Sequence, residues 1–179
     1  MFDPTAFDNM KVVIEGALYD MDISGEIIII DRNDIMNMAK LSRRFDICFT
    51  LPNSERIPVS AKIEMEAHLI NLAAELLTVP QTENEGGCQV RLQFFIEHAE
   101  NKENYPTIQK IFMDIWGETR KINQSVQYHP LSNEKKIKNS ITVEFDRLIS
   151  EEQLDDLVEM TDFMITTLKQ LQSCKSIIN

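Results

Sequence analysis

Apolar residues recur at helical spacing near both ends of the chain. A helix is predicted close to the N-terminus, with Asp3 as its cap and Pro4 at its first position. A second helix is predicted over 150–171, where Ser150 and Gln153 have the spacing of a capping box. The apolar positions that define these helices are Phe7, Met10, Ile14, Leu18, Leu154, Leu157, Met164, Ile165, Leu168 and Leu171. The chain is therefore expected to begin and end with amphipathic helices.

Apolar and polar residues alternate in the segments between these helices, which predicts strands. The alternation is clearest at 45–51, 57–67 and 90–97, and shorter strands are predicted at 126–128 and 141–145. The first two segments are expected to form a hairpin, and the strand at 59–67 is expected to pair with the one at 90–97. Four consecutive isoleucines, Ile27 to Ile30, favour a strand that is covered on both faces.

Three further segments complete the predicted fold. Residues 33–41 predict a helix capped by Asn33 or Asp34, and residues 108–116 a helix that ends at Gly117. Residues 59–77 fit either a strand followed by a helix or one helix. The mixture predicts an α+β fold over a single domain, residues 1–179. It would have a mixed, largely antiparallel sheet of about six strands, with helices packed on it and at both termini.

Charge and cysteine content narrow the classes of function. The net charge is −11, and residues 1–100 alone carry 17 acidic against 8 basic residues. Nucleic acids and anionic membranes attract a positive field, so we expect neither as a partner. The three cysteines have no C-x-x-C spacing, and no apolar run approaches the length of a membrane span. These features indicate reduced thiols and a cytoplasmic location.

Familiar catalytic and phosphate-binding motifs are absent from the sequence, which favours a non-enzymatic protein. One cluster of glutamate and histidine residues makes an enzyme a possible alternative. If the strands at 59–67 and 90–97 pair, Glu64, Glu66 and His68 lie on one sheet face opposite Arg91. Such a group could act as an acid–base pair or a metal site. Cross-strand charge pairing is the simpler interpretation, and we favour it.

Residues 20–31 resemble the twelve-residue calcium-binding loop of EF-hand proteins. Asp20, Asp22, Ser24, the Glu26 carbonyl and Asp31 fall at the ligand positions, and Gly25 falls at the turn. The resemblance implies a Ca²⁺ or Mg²⁺ site between two helices. Ser24 replaces a carboxylate or amide, and Asp31 replaces the long bidentate glutamate. The shorter Asp31 favours binding of Mg²⁺ or weak binding of either ion. The alternative is a turn in which Asp and Ser bond nearby backbone.

The methionines have two interpretations. Met36, Met38, Met160 and Met164 fall on predicted helices, where methionine usually fills gaps in the core. The rarer use of methionine is an adaptable binding groove. Together the observations predict a protein that acts by association with itself or with a protein partner. A divalent-cation-binding domain using residues 20–31 and an enzyme with a dispersed Glu/His site are the alternatives.

Overall fold

A computed structural model describes residues 5–52, 58–74, 86–131, 136–174 and 177. A 3-10 turn, Glu151–Gln153, leads directly into the last helix. The elements follow one another as α1 (Thr5–Ile23), β1 (Ile28–Asn37), β2 (Ser42–Thr50), β3 (Val59–Ala67), α2 (Leu69–Ala74), β4 (Gln89–Ala99), α3 (Asn104–Trp116), β5 (Lys121–Gln127), β6 (Lys136–Glu144) and α4 (Leu154–Ser173).

The six strands form one antiparallel sheet in the order β1-β2-β3-β4-β6-β5. One face of the sheet is apolar and packs against the apolar stripes of α1, α3 and α4 in a single core. The opposite face, called the polar face below, carries mostly charged and hydroxyl side chains. This arrangement confirms the predicted α+β fold with terminal helices. Among the described residues, no helix combines the length and apolarity needed to cross a bilayer.

Several local predictions are confirmed. β2 and β3 form the expected hairpin, and β3 pairs with β4. Ser150 and Gln153 form the capping box, and α3 stops at Gly117, which has a φ of 86°. The ambiguous segment is a strand followed by a helix, β3 and α2, up to residue 74; residues 75–77 lie outside the described residues. The predicted cap at Asp3 and Pro4 also lies outside them.

The helix predicted over 33–41 is wrong. β1 continues to Asn37, which pairs with Ser42 of β2, and residues 38–41 form the turn between the strands. Periodicity alone cannot separate a short apolar helix from a strand, and here pairing with β2 decides. The prediction of full coverage for Ile27–Ile30 is also wrong. Only Ile27 is fully buried, because β1 lies at the sheet edge and leaves Ile28 and Ile30 about half exposed.

β5 spans seven residues and is longer than the strand predicted at 126–128. The prediction was too short because only Ile122 and Val126 of the seven residues are apolar. Pairing with β6 holds this polar strand in place. The sheet also contains a buried histidine, His98. It is buried at the end of β4, where its Nδ1 lies 2.8 Å from the Ala99 carbonyl oxygen and its Nε2 lies 3.4 Å from Asn139 Nδ2.

An ionic cluster fastens the β1–β2 hairpin to α1. Lys11 Nζ lies 2.7 Å from Asp34 Oδ2, and Arg43 bridges Asp34 at 3.1 Å and Asp8 at 2.8 Å. Burial opposes ionisation of Asp34, but hydrogen bonds from Arg43 and Lys11 outweigh it and lower the pKa of this carboxyl. Arg32 of β1 also pairs with Glu15 of α1. The hairpin is therefore held in a fixed position relative to the core.

Candidate functional site

Residues 20–27 form a helix C-cap. The Glu26 N–H donates to the Met21 carbonyl at 2.9 Å, and the Gly25 N–H donates to the Asp22 carbonyl at 3.0 Å. These two bonds, with Gly25 at a φ of 78°, make a Schellman motif that ends α1. Ser24 Oγ donates to the Met21 carbonyl at 3.0 Å. The segment thus satisfies the last carbonyls of the helix with its own backbone and hydroxyl.

The predicted metal ligands are spread over three different elements. Asp20 and Asp22 belong to α1, Ser24 and Glu26 to the cap, and Asp31 to β1. Asp22 Oδ1 accepts the Ile29 N–H at 3.0 Å, so this carboxylate joins the helix end to the first strand. The second helix that an EF-hand requires is replaced by β1. Among the described residues, no three His, Cys, Asp or Glu side chains are grouped to hold a metal ion. Cation binding by residues 20–31 stays a prediction.

A row of polar side chains crosses the polar face from one sheet edge to the other. The row runs through Asn33, Asp46, Glu64, Arg91, Glu144 and Lys121, each directly opposite the next on the neighbouring strand. Arg91 lies 3.2 Å from Glu64 and 3.4 Å from Glu144, and Lys121 lies 3.0 Å from Glu144. Hydrogen bonds from Lys121 and Arg91 lower the pKa of the Glu144 carboxyl despite its slight burial. This row is the cross-strand charge pairing that the sequence favoured.

The Glu64, Glu66 and His68 cluster does not converge on one point. Glu64 is buried and pairs with Arg91 and Lys62. His68 is exposed beyond the end of β3, where its backbone N–H donates to the Asn71 side-chain oxygen at 2.9 Å. The hollow lined by Glu64 and Glu66 is small, about 190 Å³, and polar. An enzyme site at these residues stays a prediction without further geometric support.

The most distinctive surface lies at the tip of the β1–β2 hairpin. Five large apolar side chains there are 45% to 72% exposed, and we call them the hairpin patch: Met36, Met38, Leu41, Leu69 and Ile70. Met36, Leu41 and Leu69 also line an apolar hollow of about 290 Å³ together with Ser42 and Leu72. β2 pairs with β3 as far as Ala67, which brings the start of α2 beside the hairpin tip.

Leu41 occupies a strained position in this patch. Its φ is 50°, and it is the only residue other than glycine with a positive φ in the described part of the chain. A left-handed conformation costs a side chain such as leucine roughly 1–2 kcal/mol, and glycine or asparagine normally occupies such turns. A strained, half-exposed leucine is poorly explained by the stability of the fold, which points toward function.

No family model, curated protein or solved structure matches this chain. The candidate site therefore rests on the geometry of the hairpin patch. The sequence pattern does not predict this patch, because it places Met36 and Met38 on a helix that faces the core. The signal that could have found it is the density of apolar residues in a segment that alternates with Asp34, Asn37 and Lys40.

Proposed function

We propose that this is a non-enzymatic protein that acts by association, and that the hairpin patch pairs two copies of the chain. The observation that carries the proposal is the group of five exposed apolar side chains around an apolar hollow. Large exposed apolar patches are uncommon on monomers and mark sites of association. Two of the five are methionines, whose flexible side chains adapt well to a facing surface.

The charges around the patch favour a second copy as its occupant. The chain carries a net charge of −11, so two copies repel each other over most of their surfaces. Near the hairpin patch both signs of charge occur: Arg44 lies directly opposite Glu66 on β3, and Lys40 lies in the turn of the hairpin. In an interface with two-fold symmetry, the basic side of each copy can face the acidic side of the other. The charges near the patch are therefore self-complementary.

The hairpin is also preorganised, because contacts within the chain hold it in place. The ionic cluster of Lys11, Asp34, Arg43 and Asp8 holds it on α1. The Arg43 guanidinium also lies over the Phe7 ring, 4.8 Å from its centroid. A surface that is already ordered loses little conformational freedom on binding, which favours association.

Light scattering combined with size exclusion tests this proposal. The wild-type chain, of 20.7 kDa, is expected to give about twice that mass at micromolar concentration. Met38→Lys places a charge in the patch and is expected to give the mass of one chain. The matched control is Val12→Lys, which replaces an apolar residue on α1 that is also mostly exposed, and it should leave the dimer unchanged. A wild-type monomer over the whole concentration range would overturn the proposal.

A further inference from the structure

In the described part of the chain, the two edges of the sheet differ in how they are protected against the addition of another strand. β1 has a bulge between Ile29 and Asp31, carries Asp31, Arg32 and Asp34, and is tied to α1 by ion pairs. Bulges, charges and covering elements are the usual means of preventing another strand from adding to an edge. The edge at β1 is thus closed to further pairing.

β5 is less protected than β1. Its pairing with β6 runs without interruption from Lys121 to Gln127, and it contains no proline. Lys121 is its only charged residue, and it stands at one end. In an antiparallel edge strand, every second residue directs its N–H and C=O away from the neighbouring strand. β5 therefore offers about three outward pairs of backbone groups to an incoming chain.

The segment of sequence that contains β5 and most of β6 is more basic than the chain as a whole. Residues 120–143 contain five basic residues and one acidic residue, whereas the chain carries −11. Lys121 pairs with Glu144 and Lys138 with Glu97, but the two lysine side chains remain 60% and 63% exposed and can contact a second carboxylate.

The two faces of β5 differ in polarity. Lys121, Asn123, Ser125 and Gln127 lie on the polar face, opposite β6 residues that include Lys138. Ile122 and Val126 lie on the other face, and Val126 is 43% exposed. An added strand would therefore place alternate side chains beside lysines and beside apolar groups.

From these features we propose that β5 is a docking edge for an extended acidic peptide, which adds to the sheet as a seventh strand. The peptide would alternate acidic side chains on the polar face with apolar side chains on the helix face. Backbone hydrogen bonds to β5 would supply affinity, and the alternation would supply specificity, as in other cases of strand addition. This surface lies at the opposite edge of the sheet from the hairpin patch and does not depend on it.

The test uses an eight-residue synthetic peptide in which aspartate alternates with valine, titrated by calorimetry against the full chain. Two control peptides separate the contributions. One carries N-methyl groups on alternate residues, which remove the backbone donors and keep the charge; the other replaces aspartate with lysine. Both are expected to bind at least tenfold more weakly, because two or three hydrogen bonds are lost or the charges repel.

Hydrogen exchange locates the bound peptide. When the peptide is bound, alternate backbone amides of β5 are expected to exchange more slowly. The exchange of the β1 amides is expected to stay unchanged. Lys121→Gln with Lys138→Gln should weaken binding about five- to tenfold at low salt. Equal binding of the N-methylated peptide, protection outside β5, or no binding of the acidic peptide would each overturn the proposal. The titration is repeated with Met38→Lys, which should bind the peptide as the wild type does. This shows whether peptide binding at β5 is independent of self-association through the hairpin patch.

Discussion

Asp46 on β2 lies directly opposite Glu64 on β3, and both carboxylate side chains are buried on the polar face. Like charges in this position repel each other. The surrounding residues compensate, since Asn33 Nδ2 donates to Asp46 at 3.0 Å and Arg91 pairs with Glu64 at 3.2 Å. Each of the two carboxylates therefore has a partner of its own, Asn33 for Asp46 and Arg91 for Glu64. The contact between Asp46 and Glu64 themselves is the least favourable one in the polar row.

Replacing one member of this acidic pair should stabilise the protein. Asp46→Asn keeps an oxygen that accepts from Asn33 and removes the repulsion with Glu64. The free energy of unfolding at pH 7 should rise by a few tenths to about 1 kcal/mol, as measured by urea unfolding. Asp31→Asn, an exposed aspartate on the same face, is the matched control and should change it by less than about 0.5 kcal/mol. A loss of more than 1 kcal/mol for Asp46→Asn would show that the pair is not repulsive.

Most of the sheet could be predicted because β2, β3 and β4 alternate apolar and polar residues along most of their length. β1 and β5 could not, because neither has that pattern: β1 was assigned partly to a helix, and β5 has only two apolar residues. Both are edge strands held by one neighbour, so pairing and not local preference decides their conformation. The hairpin patch was missed for the same reason, since its methionines lie on the misassigned strand.

The ionic cluster at the hairpin predicts a pH dependence. The pKa of Asp34 is lower in the folded chain than its ordinary value of 3.8, mainly because the hydrogen bonds from Arg43 and Lys11 outweigh burial. Its stabilising contribution is therefore present above about pH 4 and is lost as the pH falls through the folded pKa. Asp34→Asn should lower stability by up to about 1 kcal/mol at pH 7, and this difference should shrink toward zero below pH 3. A difference that is constant over this range, in urea melts, would argue against the ion pairs.

The buried network around His98 makes a second stability prediction. Asn139 Nδ2 contacts His98 Nε2 at 3.4 Å and donates to Gln124 Oε1 at 3.0 Å. Since the Ala99 carbonyl accepts from Nδ1, Nε2 is the nitrogen free to accept. Asn139→Ala would remove the donor that contacts the buried His98 Nε2 and the half-buried Gln124 Oε1, which should cost roughly 1–3 kcal/mol in urea unfolding. Asn123→Ala, on the exposed face of β5, serves as the control; equal effects of the two variants would contradict the network.

The helix cap at residues 20–27 predicts the outcome of a metal test. Thermal melts in EDTA, in excess Ca²⁺ and in excess Mg²⁺ distinguish the two interpretations of residues 20–31. A bound ion at one hundred times its dissociation constant adds about 2.7 kcal/mol, enough to raise Tm by several degrees. The cap geometry predicts no such shift, and it predicts that Asp22→Ala lowers Tm equally in EDTA and Ca²⁺. A rise in Ca²⁺ or Mg²⁺ that EDTA reverses, and that Asp22→Ala abolishes, would establish the cation site.

Leu41→Asn is the measurement that tests the central claim most directly. Asparagine tolerates the positive φ of this turn, so the substitution should leave the free energy of unfolding of the monomer unchanged or raise it by up to about 1 kcal/mol. The same substitution removes an apolar side chain from the hairpin patch and should weaken the dimer at least tenfold in sedimentation equilibrium, since burying a leucine is worth roughly 1.5–3 kcal/mol. A dimer of unchanged strength, together with a loss of monomer stability, would show that Leu41 serves the fold and would contradict self-association through the hairpin patch.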